Sequence, residues 1–202
     1  KRQHSERLTA SYLFLPKIAS DMEELGNKDF QYGAVALFKL KKSESFKYHF
    51  GAYYNQELFG PFIVPLIGLY RISDNGKFEI NATLPVWADM NYSFNDWLAA
   101  GSSFAATVRS YHLSESNAYI VKKSNEIFGY LQAKLKKSFL IQTKVGYSIG
   151  RSYSAYADGD RASLGVSAFR FGDERTVLNP NFSDGLIVRI RLIYRFHIAD
   201  SD

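Results

Sequence analysis

The feature that most constrains this chain is a strict alternation of apolar and polar residues, held for the full length of a strand and repeated along the sequence. Leu186, Val188, Ile190, Leu192, Tyr194 and Phe196 share one face of the last such segment, with Arg189, Arg191 and Arg195 on the other. Phe139, Ile141, Thr143, Val145, Tyr147 and Ile149 oppose Gln142, Lys144, Gly146, Ser148 and Gly150 in the same way. Phe46 to Asn55 and Phe78 to Leu84 repeat the pattern, and weaker members cover Leu8 to Leu15, Phe30 to Leu40, Ile63 to Ile72, Val86 to Phe94, Trp97 to Tyr111 and Glu126 to Leu135. A period of two is the signature of strands with unlike faces. Ile63 to Ile72 is apolar on both faces and carries Pro65, which predicts a bulge or break there.

Turn chemistry separates the segments. Ser73-Asp74-Asn75-Gly76, Asn95-Asp96 and the paired runs Lys41-Lys42-Ser43 and Lys136-Lys137-Ser138 predict short connections. Pro16 to Asp29, Leu113 to Asn125 and Ser152 to Asp184 are expected to be long ones, the last with a short strand of its own at Ala162 to Phe171. With a tight turn at Pro85 the count is about ten strands, eight and twelve being the neighbouring even numbers.

Length and composition narrow the class. At 202 residues the chain is expected to be one domain, residues 1–202, and zero Cys excludes a disulfide framework and any Cys-ligated metal. Tyr, Phe and Trp reach 16%, more than core filling asks for, and no run of about 20 apolar residues exists to form a spanning helix. The polar stretch Lys1 to Arg7 lacks the apolar centre of a signal peptide, so the chain is expected either to have none or to be a processed form.

These features predict an all-β fold, an antiparallel transmembrane β-barrel with its apolar face toward lipid and aromatic girdles at the interfaces. The same alternation also fits a soluble lipocalin-like barrel that binds a small ligand. The small residues mixed with Arg and Lys on the polar face favour the membrane form. Its interior is expected to be filled by side chains, with Lys47, Glu79, Asp89, Arg109, Glu126, Lys144, Arg189, Arg191 and Arg195 facing the lumen, alongside Arg7, Lys39, Arg71 and Lys134. An excess of bases there reads either as a charge network or as a narrow anion-preferring pore. The network is preferred because buried charges need partners.

Several stretches carry a resemblance. Leu84-Pro85-Val86-Trp87-Ala88-Asp89-Met90-Asn91-Tyr92, Tyr119-Ile120-Val121-Lys122-Lys123-Ser124, Lys144-Val145-Gly146-Tyr147-Ser148-Ile149-Gly150-Arg151-Ser152-Tyr153, and Asp184-Gly185-Leu186 through Tyr194-Arg195-Phe196 resemble small outer-membrane β-barrel proteins of the Bacteroidetes type, a family of uncharacterised function. The resemblance implies the cell outer membrane as location and outer-membrane lipid as surroundings. Other outer-membrane proteins are expected as partners through the long loops. The terminal strand is similar to a barrel-assembly signal, although Phe196 is followed by His197 to Asp202.

His112, Ser114 and Glu126 lie at a spacing similar to the His-Ser-Glu set of outer-membrane lipid A deacylases, in which a base-activated Ser attacks an ester. The residues after Ser114, Glu115-Ser116-Asn117-Ala118, depart from that family's continuation, and an ordinary polar loop is the expectation. The chain is therefore expected to be a structural or accessory membrane subunit and not an enzyme. No cofactor or metal is expected, and no nucleic-acid partner, because Lys and Arg are spread over strand faces and turns and form no single basic patch.

Overall fold

The computed structural model describes residues 2–136, 138–180 and 184–194. The chain is all-β. Its strands are β1 (Arg2–Gln3), β2 (Leu8–Ile18), β3 (Phe30–Lys41), β4 (Phe46–Glu57), β5 (Gly60–Ile72), β6 (Phe78–Leu84), β7 (Trp87–Ser93), β8 (Leu98–Leu113), β9 (Ala118–Lys136), β10 (Phe139–Ala157), β11 (Leu164–Val166), β12 (Phe169–Phe171) and β13 (Gly185–Tyr194). β2 to β10 followed by β13 form an antiparallel meander in a single sheet, each strand paired with the next. β1 adds to the outer edge of β2, and among the described residues no ladder joins β2 to β13. The sheet nevertheless curls on itself: Leu15 of β2, Tyr53 of β4, Val108 of β8, Lys123 of β9 and Gly150 of β10 line one cavity.

Turn residues close one end as the sequence requires. Asn95 Oδ1 accepts from the N–H groups of Trp97 and Leu98 (3.1 and 2.8 Å), and Gly76, at φ +69°, completes a turn in which Gly76 N donates to Ser73 O (2.8 Å). At the other end Val86 N donates to Thr83 O (3.1 Å), which closes the tight turn at Pro85 and keeps β6 and β7 separate.

Three expectations need correction. Pro65 causes neither a bulge nor a break, since the β4–β5 ladder runs without a shift from Phe46↔Arg71 to Glu57↔Gly60. Ile63 O accepts from Ser167 on the side away from β4, and Pro65, two residues on, turns its missing N–H to that same side, where β6 has already ended at Leu84↔Ile67. Both faces of β5 are apolar because Phe62, Val64 and Leu66 are buried while Ile63, Pro65 and Ile67 are exposed.

Leu113 to Asn125 is not a long connection. β9 begins at Ala118 after a short turn in which Asn117 adopts φ +44°. Ser152 to Asp184 is likewise shorter than expected, because β10 continues to Ala157 beyond a bulge. Ile149 pairs with Asn125 and Ser152 with Lys123, so Gly150 and Arg151 face Ser124 alone, with Gly150 at φ +62°. Across the bulge β10 keeps one inward parity, with Ser148, Ser154 and Tyr156 all inside, and it is β9 that changes, with Tyr119 and Val121 inside above and Ser124 and Phe128 below.

The interior has two unlike halves. Toward the long loops lies an apolar core of Phe59, Phe62, Val64, Leu66, Tyr119, Val121 and Tyr156. Toward the short turns the inward residues are polar, among them His49, Gln142 and Lys144.

Candidate functional site

The polar half is built around β7, β9, β10 and β13. A cavity of about 560 Å³ is lined by Glu79, Asn81, Asp89, Ser103, Phe128, Tyr130, Lys144, Arg189 and Arg191, among others. Lys144 Nζ donates to Ser103 Oγ (3.0 Å) and stands 4.8 Å from the Tyr130 ring centroid. Arg189 donates to Glu126 Oε2 (2.7 Å) and stacks 4.7 Å over Phe128. Tyr130 OH in turn donates to Asp89 Oδ1 (2.9 Å). These aromatic rings lie flat against the wall because Gly101 and Gly146 offer no Cβ, which would collide with Tyr130 and Phe128 respectively.

A second polar cavity of about 560 Å³ holds Arg7, Lys39, Lys47 and His49, with Lys47 Nζ 5.4 Å from the Tyr70 ring. Of the remaining residues expected in the lumen, Arg109 is exposed at the rim of the apolar half, Arg71 and Lys134 are exposed, and Arg195 lies outside the described residues.

The deacylase-like set is not brought together. His112 Nδ1 bonds Asp29 Oδ1 (3.0 Å), Ser114 Oγ donates to Asp21 Oδ1 (2.7 Å), and Glu126 holds Arg189. In the β8–β9 ladder His112 pairs with Tyr119, seven residues from Glu126, or roughly 23 Å along the strand. What His112 and Ser114 do instead is dock the 19–29 loop on the tip of β8. His112 N donates to Ala19 O (3.1 Å), Asp21 N to His112 O (3.1 Å) and Ser114 N to Asp21 Oδ2 (2.7 Å). Among the described residues no group of three His, Asp or Glu side chains is placed to hold a metal ion.

The two bonds from Ser114 hold the Asp21 carboxyl down at about 2, from an ordinary 3.8. Burial alone would raise Asp29, yet the Gly26 N–H and the His112 ring keep it below the usual carboxylate range. A depressed folded-state value means that the Asp21 contribution is complete above 3.8 and is lost as pH falls through about 2. Pepsin cleavage within residues 19–29 is therefore expected to rise only as pH approaches 2. In Ser114→Ala the onset is expected to move up toward 3.8, with the acylation of lipid A unchanged in cells carrying the variant.

Sequence reasoning missed the residues that organise the loop end. Glu57, 2% exposed, accepts from Lys17 Nζ (3.0 Å), Ser110 N (2.8 Å) and Ser110 Oγ (2.5 Å), and also from Asn55. Residues 158–180 fold back over this end. β11 adds to β5 at Phe62 and Ile63, Arg170 stacks on Phe59 and Phe62 at 5.0 and 4.9 Å, and Arg175 stacks on Tyr156 at 4.2 Å. Asp173 binds Arg175 through both oxygens (2.6 and 2.7 Å), which holds its carboxyl below the usual range. Inward parity on β4, read through Lys47, His49, Gly51 and Asn55, would have found Glu57 two residues on.

The family model described as Domain of unknown function (DUF6268) matches residues 4–185. No curated protein and no solved structure matches the chain.

Proposed function

The chain belongs to that family of unknown function, and we propose that it is an integral outer-membrane β-barrel of the kind its sequence resembles, a non-enzymatic subunit with a filled interior. The observation that carries this reading is an inverted polarity. Phe14, Ile67 and Ile190 are 71, 71 and 74% exposed, whereas His49, Gln142 and Lys144 are 3, 8 and 8% exposed. A soluble barrel with that outer surface would present water with far more apolar area than monomeric proteins tolerate. In hydrocarbon the same surface is favourable, and between neighbouring strands from β2 to β13 the ladders supply the backbone pairing that lipid cannot.

Two features of the interior weigh against a pore. Lys144 and Arg189 are stacked on rings and bonded, and β11 and β12 pack over the loop end. Exposed Phe169, Phe171 and Leu178 on the 158–184 loop are the surface offered to other outer-membrane proteins.

Fractionation and conductance test the proposal together. The protein is expected in the membrane fraction, released by detergent only, and silent in planar bilayers. A water-soluble monomer would overturn the membrane reading. Steady anion-preferring channels that weaken in Arg191→Ala would overturn the filled-barrel reading.

A further inference from the structure

The wall has a notch. β5 pairs with β6 only from Ile67 onward, and β8 pairs with β7 only up to Ala105. Above the turn at Pro85 and Val86, the upper parts of β5 and β8 therefore lack the two strands that separate them below, a width of roughly 10 Å. β11 takes up Phe62 and Ile63 of β5, higher on the same edge.

Behind the notch lies the apolar cavity, about 600 Å³, within the usual size of a ligand pocket. Val35, Leu37, Val64, Leu66, Val86 and Val108 are among the residues that line it. Arg170 and Lys123 also border it. Arg170 and Arg175 both act electrostatically on Lys123, and the nearby acid, Asp173, is committed to Arg175 through both oxygens. Arg170 Nη1 donates to the carbonyls of Ser167 and Phe169, while its buried Nε has no hydrogen-bond partner among the described residues.

An apolar cavity, a side opening one hairpin wide and an excess of positive charge at its border define one kind of occupant. We propose that the cavity binds a single-chain acidic amphiphile, a long-chain carboxylate, with its chain among the Val and Leu side chains and its head group against Arg170 and Lys123. The notch is its route from the bilayer. That route rests on the membrane reading, but binding itself is measured in detergent micelles, so a failure of one is distinguishable from a failure of the other.

The protein carries its own probe. Trp87 lines the cavity, and the second Trp, Trp97, lies in a short turn at the opposite end. In a Trp97→Phe background, dibromostearate is expected to quench Trp87 saturably, with the dibrominated alcohol of the same chain binding at least about tenfold more weakly. Lys123→Gln is expected to weaken the carboxylate by about tenfold and leave the alcohol unchanged. Val64→Phe, which fills the cavity, is expected to abolish saturable quenching by both; Ala106→Phe serves the same purpose if thermal melting shows that Val64→Phe does not fold. Quenching that rises linearly, as with a brominated detergent, or that survives both filling variants would overturn the site. Equal affinity for acid and alcohol would overturn the acidic head group.

Discussion

Val145→Arg is expected to destabilise the inserted protein by about 2–4 kcal/mol, the cost of a strong base on the lipid face near the middle of a bilayer. Val145 is half exposed, and its ladder partners are Val188 and Gly129. Phe139 and Tyr194 pair toward the short-turn end, and Tyr147 with Leu186 toward the other, which sets Val145 inside the apolar band. In a soluble barrel the same change at a half-exposed position falls within about 0.5 kcal/mol of neutral. Denaturant unfolding from lipid vesicles measures the difference. An Arg at position 145 that leaves the midpoint unmoved would remove lipid from that face of the sheet.

Glu57→Ala is expected to cost about 3 kcal/mol, because it leaves the buried N–H and hydroxyl of Ser110 and the half-buried Lys17 ammonium without their acceptor. Glu57 joins β2, β4 and β8 in one network: Lys17 donates from β2, Asn55 from β4, and the N–H and hydroxyl of Ser110 from β8. Ser110 lies beyond the last β7–β8 pair, so on that side its N–H is met by the carboxylate and its carbonyl by Gln31 Nε2 (3.2 Å). Without the carboxylate the Ser110 N–H is orphaned in a buried place, a penalty larger than the loss of the bond itself. Glu57→Gln keeps the shape but turns an amide donor toward groups that are themselves donors, and is expected to fall between wild type and Glu57→Ala. Thermal melting, together with trypsin cleavage at the loop end, reads the effect. A Glu57→Ala protein that melts within about 0.5 kcal/mol of the parent would show that the tip of β8 is held by the apolar core instead.

The parts of the fold that could be read in advance are those set by neighbours in the chain. Alternation at Phe46 to Asn55 and Phe139 to Ile149 reports the pleat, and the turns at Asn75-Gly76 and Asn95 report local hydrogen bonding by side chains. The ten strands of the meander follow from those two signals. The first part of β9 was hidden because the inward parity changes between Lys123 and Ser124: Tyr119 and Val121 are buried above, Ser124 and Phe128 below. A periodicity carried across that point cancels. The pairing of His112 with Asp29 was equally hidden, since a His-x-Ser spacing says nothing about a carboxylate 83 residues earlier.

By itself the sequence determined an all-β chain, its strands, its short turns and the two unlike faces, because a period of two and a turn residue act over a few bonds. Only the tertiary structure decided which charges meet which partners, that the loop half of the interior is apolar, and that the short β6–β7 hairpin leaves a notch beside a cavity. Those outcomes depend on the curl of the sheet, which brings Glu57 to Ser110 and Arg170 to Phe59 from positions 53 and 111 residues apart. No local pattern records a contact of that span.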